Sequence, residues 1–181
     1  MLEKIEIKEL ISDDINGSLL NNFDRYQKVT RHWKNKNGEW ILIDEEYVVD
    51  WDRKKKNNVV KFFLNTIKEG KGYIFGAYEK EELIGFSVLL NNKFGTNEQY
   101  SQLKYLQVSY GHRHQGTGKE LFRLCVEKAK KIGITKIYIS ANDSEETQKF
   151  YLDIGCKDAE EINSKLAEEE PYDRQMEYVI E

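Results

Sequence analysis

Residues 106–119, Leu-Gln-Val-Ser-Tyr-Gly-His-Arg-His-Gln-Gly-Thr-Gly-Lys, carry the reading of this chain. The segment runs from an apolar strand through a turn with glycines at 111, 116 and 118 into an amphipathic helix. The first N–H groups of a helix lack intrahelical acceptors and lie at the positive end of the helix dipole. Glycine lets a ligand approach the backbone closely. Arg113, His114 and Lys119 add positive or titratable charge beside those N–H groups. Together these features predict a cradle for a pyrophosphate. A bare strand-to-helix turn would need the glycines for geometry, but not the flanking Arg and Lys.

Working outward, Leu103 to Val108 reads as the strand before the turn and Thr117 to Ile132 as the helix after it. Leu121, Leu124, Cys125, Ala129 and Ile132 share one face of that helix, and Gly133 ends it. Lys136 to Ala141 is a short strand, Ser144 to Ile154 a helix ended by Gly155, and Arg174 to Ile180 a last strand. Upstream, Tyr73–Tyr78 and Leu83–Leu90 form a hairpin joined by residues 79–82. Phe94 to Asn97 is a loop. Asp50 to Glu69 is a helix, with Val59, Val60, Phe63, Leu64 and Ile67 at helical spacing and Gly70 as the stop. Leu2 to Leu10 alternates like an edge strand. Ser12-Asp13-Asp14 is expected to cap a helix through Ile15, Leu19, Leu20 and Phe23. Residues 30–51 show no period and read as irregular. The order strand, helix, strand, helix, strand predicts an α/β or α+β sheet with partly parallel pairing, in one domain spanning 1–181.

Composition narrows the function. The chain has 181 residues, 39% hydrophobic and 33% charged, enough for a sizeable core under a solvated surface. Net charge is -4 and the pI about 5.6, which disfavours a general nucleic-acid binder. No apolar run approaches a membrane span, and the first residues lack a signal peptide's apolar core. Two cysteines, Cys125 and Cys156, cannot build a secreted disulfide framework. A cytoplasmic, reduced protein is expected, without nucleic-acid or membrane partners.

The common nucleotide fingerprints fail at the decisive segment. A Walker loop would need glycine at Arg113 and a hydroxyl at Glu120. The dinucleotide fingerprint would need glycine at Leu121. What fits is Arg113-x-x-Gly116-x-Gly118, which resembles the acyl-CoA-binding motif of the GNAT superfamily of N-acetyltransferases. Phe150-Tyr151-x-x-x-Gly155-Cys156 resembles that family's second segment, with Cys156 in place of the usual aromatic. The likeness covers roughly residues 70 to 160 in order and spacing. It implies a mixed, mostly antiparallel sheet flanked by helices, whose central parallel strands, Leu103–Val108 and Lys136–Ala141, splay apart to admit acetyl-CoA.

By that resemblance, the backbone of Leu106, Gln107 and Val108 pairs with the pantetheine arm, and Val108 polarises the acetyl carbonyl. Arg113, His114, Gln115, Gly116, Thr117, Gly118 and Lys119 hold the pyrophosphate. Ser144 stands where many members carry Asn near the pantetheine. Tyr151 matches the tyrosine that protonates the leaving CoA thiolate; read alone, Phe150 and Tyr151 are two core aromatics of a helix. Many members place a Glu early in the third strand. Gln102 stands nearest here and cannot be a base, so Glu98 is the expected base, with Asp173 in the 170–173 turn as the weaker candidate. On this reading Glu98→Gln lowers the rate more than Asp173→Asn. The implied activity is acetyl-CoA-dependent N-acetylation of a small-molecule or peptide amine by direct attack. A non-catalytic acyl-CoA-sensing module is the alternative, kept alive by Gln102. The family is compatible with a homodimer.

Other signals stay open. His112 and His114 form an HxH without a third ligand at local spacing, so no metal is expected. Cys125 reads as core, and Cys156 as a small hydrophobe with partial exposure. Trp33, Trp40, Tyr47 and Trp51 either line an acceptor pocket for a cationic or aromatic substrate or pack the N-terminal region on the sheet. The basic run 53–56 reads as a solvated helix face, and the acidic C-terminal region suits an amine-bearing acceptor no better than it suits ordinary surface.

Overall fold

The computed structural model describes residues 5–181. The beginning of the expected Leu2–Leu10 strand lies outside them, and strand β1 spans Glu6–Glu9. The expected helix after it does not form. Ser12–Asp14 makes a single 3-10 turn. Asn16 Oδ1 accepts from the Ser18 N–H at 2.9 Å, a local turn that competes with helix just before a glycine. Leu20 and Phe23 are buried all the same.

Residues 30–51 are not irregular. Strands β2 (Gln27–Lys36) and β3 (Glu39–Val49) form a long antiparallel hairpin outside the main sheet. Its tight turn is Asn37-Gly38, both at positive φ (55° and 91°). That is the backbone a two-residue hairpin needs and the one Asn-Gly adopts most readily. Exposure of both faces over most of the length removes the apolar alternation that would have announced the strands.

Helix α1 spans Arg53–Lys68, with Asp52 Oδ1 accepting from the Lys55 N–H at 2.7 Å as its N-cap. Then follow β4 (Gly72–Glu79), β5 (Glu82–Leu90), β6 (Tyr100–Val108), α2 (Thr117–Lys131), β7 (Lys136–Ala141) and α3 (Glu145–Asp153). The chain ends with β8 (Lys157–Asp158), α4 (Ser164–Glu169) and β9 (Arg174–Val179). The two short elements β8 and α4 have too few residues to show a period. The seven-stranded sheet runs β1-β4-β5-β6-β7-β9-β8. All its pairings are antiparallel except β6 with β7. The mixed, mostly antiparallel sheet with a central parallel pair is therefore as expected.

Each face of the sheet buries its own core. On one, Leu121, Phe122, Cys125 and Ala129 of α2 join Ile137, Ile139 and Tyr151. On the other, Val59, Val60 and Phe63 of α1 meet Ile74, Phe86 and Val88. Phe63 is fully buried, with its ring 5.0 Å from that of Phe86. Phe63→Ala is expected to cost about 3–5 kcal/mol of stability, read as a lowered urea midpoint at constant slope. A shift worth less than about 1 kcal/mol would show that this face tolerates the cavity.

Candidate functional site

The parallel pair is joined only at its first residues. Tyr100, Ser101 and Gln102 pair with Lys136, Ile137 and Tyr138, and there the ladder stops. Beside that point β6 carries a bulge: Leu89 of β5 pairs with Leu103, whereas Val88 pairs with Tyr105, leaving Lys104 unopposed. A bulge bends its strand and increases the local twist, which turns β6 away from β7. The closed end is pinned by Glu177, fully buried, which accepts from the Tyr100 hydroxyl and from Lys136 Nζ at 3.0 Å. From Leu103 to Val108, β6 pairs with no strand but β5, so its other edge faces a cleft.

That cleft has a volume of about 600 Å³. One wall is β6 from Leu103 to Val108, and the other is Ser140, Asn142, Thr147, Phe150 and Tyr151. The outer end is closed by Arg113, His114, Gly116, Gly118 and Lys119. Helix α2 begins here, and no side chain caps it. Gly116 has φ +87°, and a Cβ built on it meets nothing within 4 Å. A Cβ on Gly118 would meet the Phe150 ring at 3.5 Å and the Val108 side chain at 3.7 Å, both ordinary contacts. Packing therefore does not require glycine at 118, whereas close approach of a ligand to the helix N-terminus does. Arg25, Lys104, Arg113, Lys119 and Lys149 line the cleft against the carboxylates Glu146 and Asp153. On a chain of net charge -4 the cleft is locally basic. An uncapped helix end, an open strand edge and this charge fit the diphosphate and amide-bearing arm of acetyl-CoA.

Of the expected cofactor residues, Leu106, Gln107, Val108, Arg113, His114, Gly116, Gly118 and Lys119 do line the cleft. The Arg113 side chain is otherwise engaged: its Nε donates to the Val108 carbonyl at 3.0 Å. His114 is exposed and pairs with Glu146 at 3.2 Å, while His112 pairs with Glu79 at 3.2 Å, so the two imidazoles do not converge. Gln115 turns back, its Nε2 donating to the Gly111 carbonyl at 3.4 Å. Thr117 is buried behind the cradle, and its Oγ1 has no partner. Ser144 does not face the cleft. It caps α3, its Oγ accepting from the Thr147 N–H at 3.1 Å, and it is buried beneath Gln27. Asn142 and Thr147 line the wall that Ser144 was expected to supply.

Tyr151 sits in the wall, 7% exposed, against Phe122 and Phe150. Burial, then Cys156 and Cys125, push its phenol well above the usual value, so it stays protonated throughout the neutral range. Glu98, the expected base, stands apart from the cleft. It lies exposed in the loop before β6 and is absent from the cleft lining. It precedes Leu103, the first cleft residue of β6, by about 16 Å of extended chain. Asp173 does not line the cleft either, but it stands next to the cleft wall. It directly precedes β9, whose Arg174 pairs with Ala141 between the cleft residues Ser140 and Asn142. Burial, with Glu170 and Asp143 adding, pushes its carboxyl up to about 7. Asp143 also accepts from the Tyr47 hydroxyl and contacts His32 Nδ1 at 3.0 Å.

None of Trp33, Trp40, Tyr47 and Trp51 lines the cleft. Trp51 packs in the core against Phe23, Phe86 and Tyr105. Tyr47 turns toward Asp143, and Trp40 lies on the hairpin beside Arg174. Cys156 is buried rather than partly exposed, and burial pushes its thiol up to about 12. Among the described residues, no group of three or more His, Cys, Asp or Glu is placed to hold a metal. Nor is any helix there long and apolar enough to cross a membrane. Sequence reasoning missed Arg25, Gln27, Asn142 and Thr147 as cleft residues because none carries a local motif.

Comparison with known proteins agrees with this geometry. The family model for the acetyltransferase (GNAT) family matches residues 34–155. Among solved structures, the chain is similar to a Bacillus anthracis protein described as a streptothricin acetyltransferase, in complex with acetyl coenzyme A. The TM-score is 0.73 at 19% identity, covering 98% of this chain and 99% of that one. A nourseothricin acetyltransferase matches with TM-score 0.70 at 12% identity over 98% and 99% of the two chains. The PaiA N-acetyltransferase of Thermoplasma acidophilum, in complex with coenzyme A, matches with TM-score 0.59 at 17% identity over 97% and 99%. No curated protein matches significantly by sequence.

Proposed function

The chain belongs to the acetyltransferase (GNAT) family, and from that premise we propose that it moves the acetyl group of acetyl-CoA to a primary amine by direct attack. The observation that carries the reading is the open edge of β6 leading to an uncapped, glycine-opened helix N-terminus. Acetyl-CoA supplies the activated acyl group as a thioester. The free edge at Leu106, Gln107 and Val108 holds the amide-bearing arm by strand-like hydrogen bonds. The backbone N–H groups at the start of α2 hold the diphosphate. The N–H donors of the β6 edge stabilise negative charge on the acetyl oxygen. Tyr151 gives a proton to the departing sulfur, and Asp173 takes one from the incoming ammonium.

Asp173 suits that task because a base poised near neutrality is part ionised at working pH and still basic enough to accept a proton. Activity should rise with pH through about 7, as its carboxyl ionises. Asp173→Asn is expected to lower kcat about a hundredfold and remove that limb, while Glu98→Gln stays near the wild-type rate. The sign for stability is opposite. A carboxyl held at about 7 in the fold and lower in the unfolded chain destabilises the fold as pH rises from about 4 to 7. Asp173→Asn should flatten that decline in melting temperature. An unchanged pH–rate profile would remove Asp173 as the base.

The acceptor is a cationic amine. Asp143 and Glu170 both act on the Asp173 carboxyl, Asp143 and Asp173 act on Tyr47, and Glu170 acts on the cleft residue Tyr105, so negative charge gathers on this side of the cleft. The names of the streptothricin and nourseothricin acetyltransferases make those compounds the first acceptors to screen. The test is CoA release with a panel of amines, with the acetylated product identified by mass. Acetyl-CoA binding without transfer to any amine would favour the sensing module.

A further inference from the structure

The least explained groups in the cleft are two arginines. Arg25, in the segment just before β2, is 7% exposed and lines the cleft. Its Nη1 donates to Gln27 Oε1 at 3.2 Å, its guanidinium lies 5.9 Å from the Trp51 ring centre, and its buried Nε has no partner. Arg113 lies beside it: Arg113 Nη2 donates to the Arg25 carbonyl at 3.5 Å, and its Nε to that of Val108. Among the described residues, the arginine–carboxylate pairs belong to Arg31, Arg123 and Arg174. Neither cleft arginine has one. Burial, and repulsion by Arg113, push Arg25 down to about 10 against the weaker pull of Asp50 and Glu146, neither of which bonds it, and it stays charged at neutral pH. An unpaired buried cation is costly, and two side by side more so. Among the described residues no carboxylate bonds either one, and both line the cleft that ends at the N-terminus of α2, an arrangement suited to an anion that enters with the ligand.

We propose that Arg25 is a phosphate-binding residue, closing on the diphosphate of CoA from the N-terminal segment, opposite the glycine cradle of α2. This rests on the acetyl-CoA reading above and deepens it, because the motif at 113–118 supplies one wall only. Arg25 acts as a charged fork whose unpaired Nε and remaining N–H groups suit phosphate oxygens. Gln27 orients it, and is itself held by donating from Nε2 to Ser144 Oγ at 3.2 Å. Binding thus ties the segment before the hairpin to the start of α3.

Calorimetric titration of the full-length protein with CoA and with S-acetylpantetheine, which lacks the phosphates, tests this. Arg25→Gln is expected to weaken CoA by about ten- to a hundredfold and to leave S-acetylpantetheine unchanged. Inorganic pyrophosphate should compete with CoA in the wild type and lose potency in parallel in the variant. Arg25→Lys, which keeps the charge without the fork, should give an intermediate loss, and it serves as the test if the Gln variant does not fold. Equal loss for both ligands would make Arg25 a structural residue and overturn the assignment, as would unchanged CoA affinity. Unchanged CoA affinity with a raised KM only for carboxylate-bearing amines would move the anion to the acceptor. Binding is read without turnover. A wild type that binds CoA but transfers nothing would therefore strike the transferase reading and leave this one standing.

Discussion

Gly116→Glu is expected to weaken acetyl-CoA binding by about a hundredfold or more, in a protein that still folds. Gly116 is the N-terminal boundary of α2 at φ +87°, and a Cβ there meets no protein atom within 4 Å. The side chain therefore costs backbone strain, about 1–2 kcal/mol for a non-glycine in the left-handed region, but no clash. A carboxylate beside a helix N-terminus gains about 0.3–1 kcal/mol from the dipole, which offsets part of that strain. The same carboxylate occupies the place of the diphosphate and repels it. Gly116→Asn is the control, since Asn tolerates positive φ and carries no charge, and it should lose about tenfold at most. Calorimetric titration with acetyl-CoA reads the affinities, and thermal melts confirm the fold. Unaltered affinity in Gly116→Glu would remove the cofactor from this cradle.

Tyr151→Phe is the second large effect, and it falls on kcat alone. Deleting one oxygen leaves the ring contacts with Phe122 and Phe150 in place, so stability and acetyl-CoA affinity should change little. A positioned proton donor contributes about 10²–10⁴ in rate, and the lower part of that range is expected because water can reach the cleft. The burial that keeps the phenol protonated places its own limb of the rate profile well above neutrality. Steady-state kinetics beside the calorimetry separate rate from binding. A kcat within twofold of wild type would assign the donor role to water or another group.

Much of the site was legible because its signal is local. The strand, the three glycines and the amphipathic helix of residues 103–132 occupy consecutive positions, and turn chemistry and helical period act between neighbours. The β4–β5 hairpin, α1, β7 and α3 were legible for the same reason. The β2–β3 hairpin had one such signal, Asn37-Gly38, but its two exposed faces carry no alternation to support it. Ser144 shows the reverse case. Its position in the pattern suggested a ligand contact, yet Ser before a helix is also the usual N-cap, and in the fold the cap is what it forms.

The sequence alone was enough to read the glycine-rich turn into α2, the place of Tyr151 in its helix and the order of the central elements, because each is written in a few adjacent residues. Tertiary structure decided the rest. It decided that Lys104 is a bulge opening the cleft, since a bulge exists only relative to the partner strand. It set Glu98 outside the cleft lining and Asp173 within electrostatic reach of Tyr151, because nearness across a sheet depends on the register of β7 with β9 and not on distance along the chain. It set Arg25 beside Arg113 across 88 residues of sequence. A charge left unpaired in that way is visible only once everything that might have paired with it has a position.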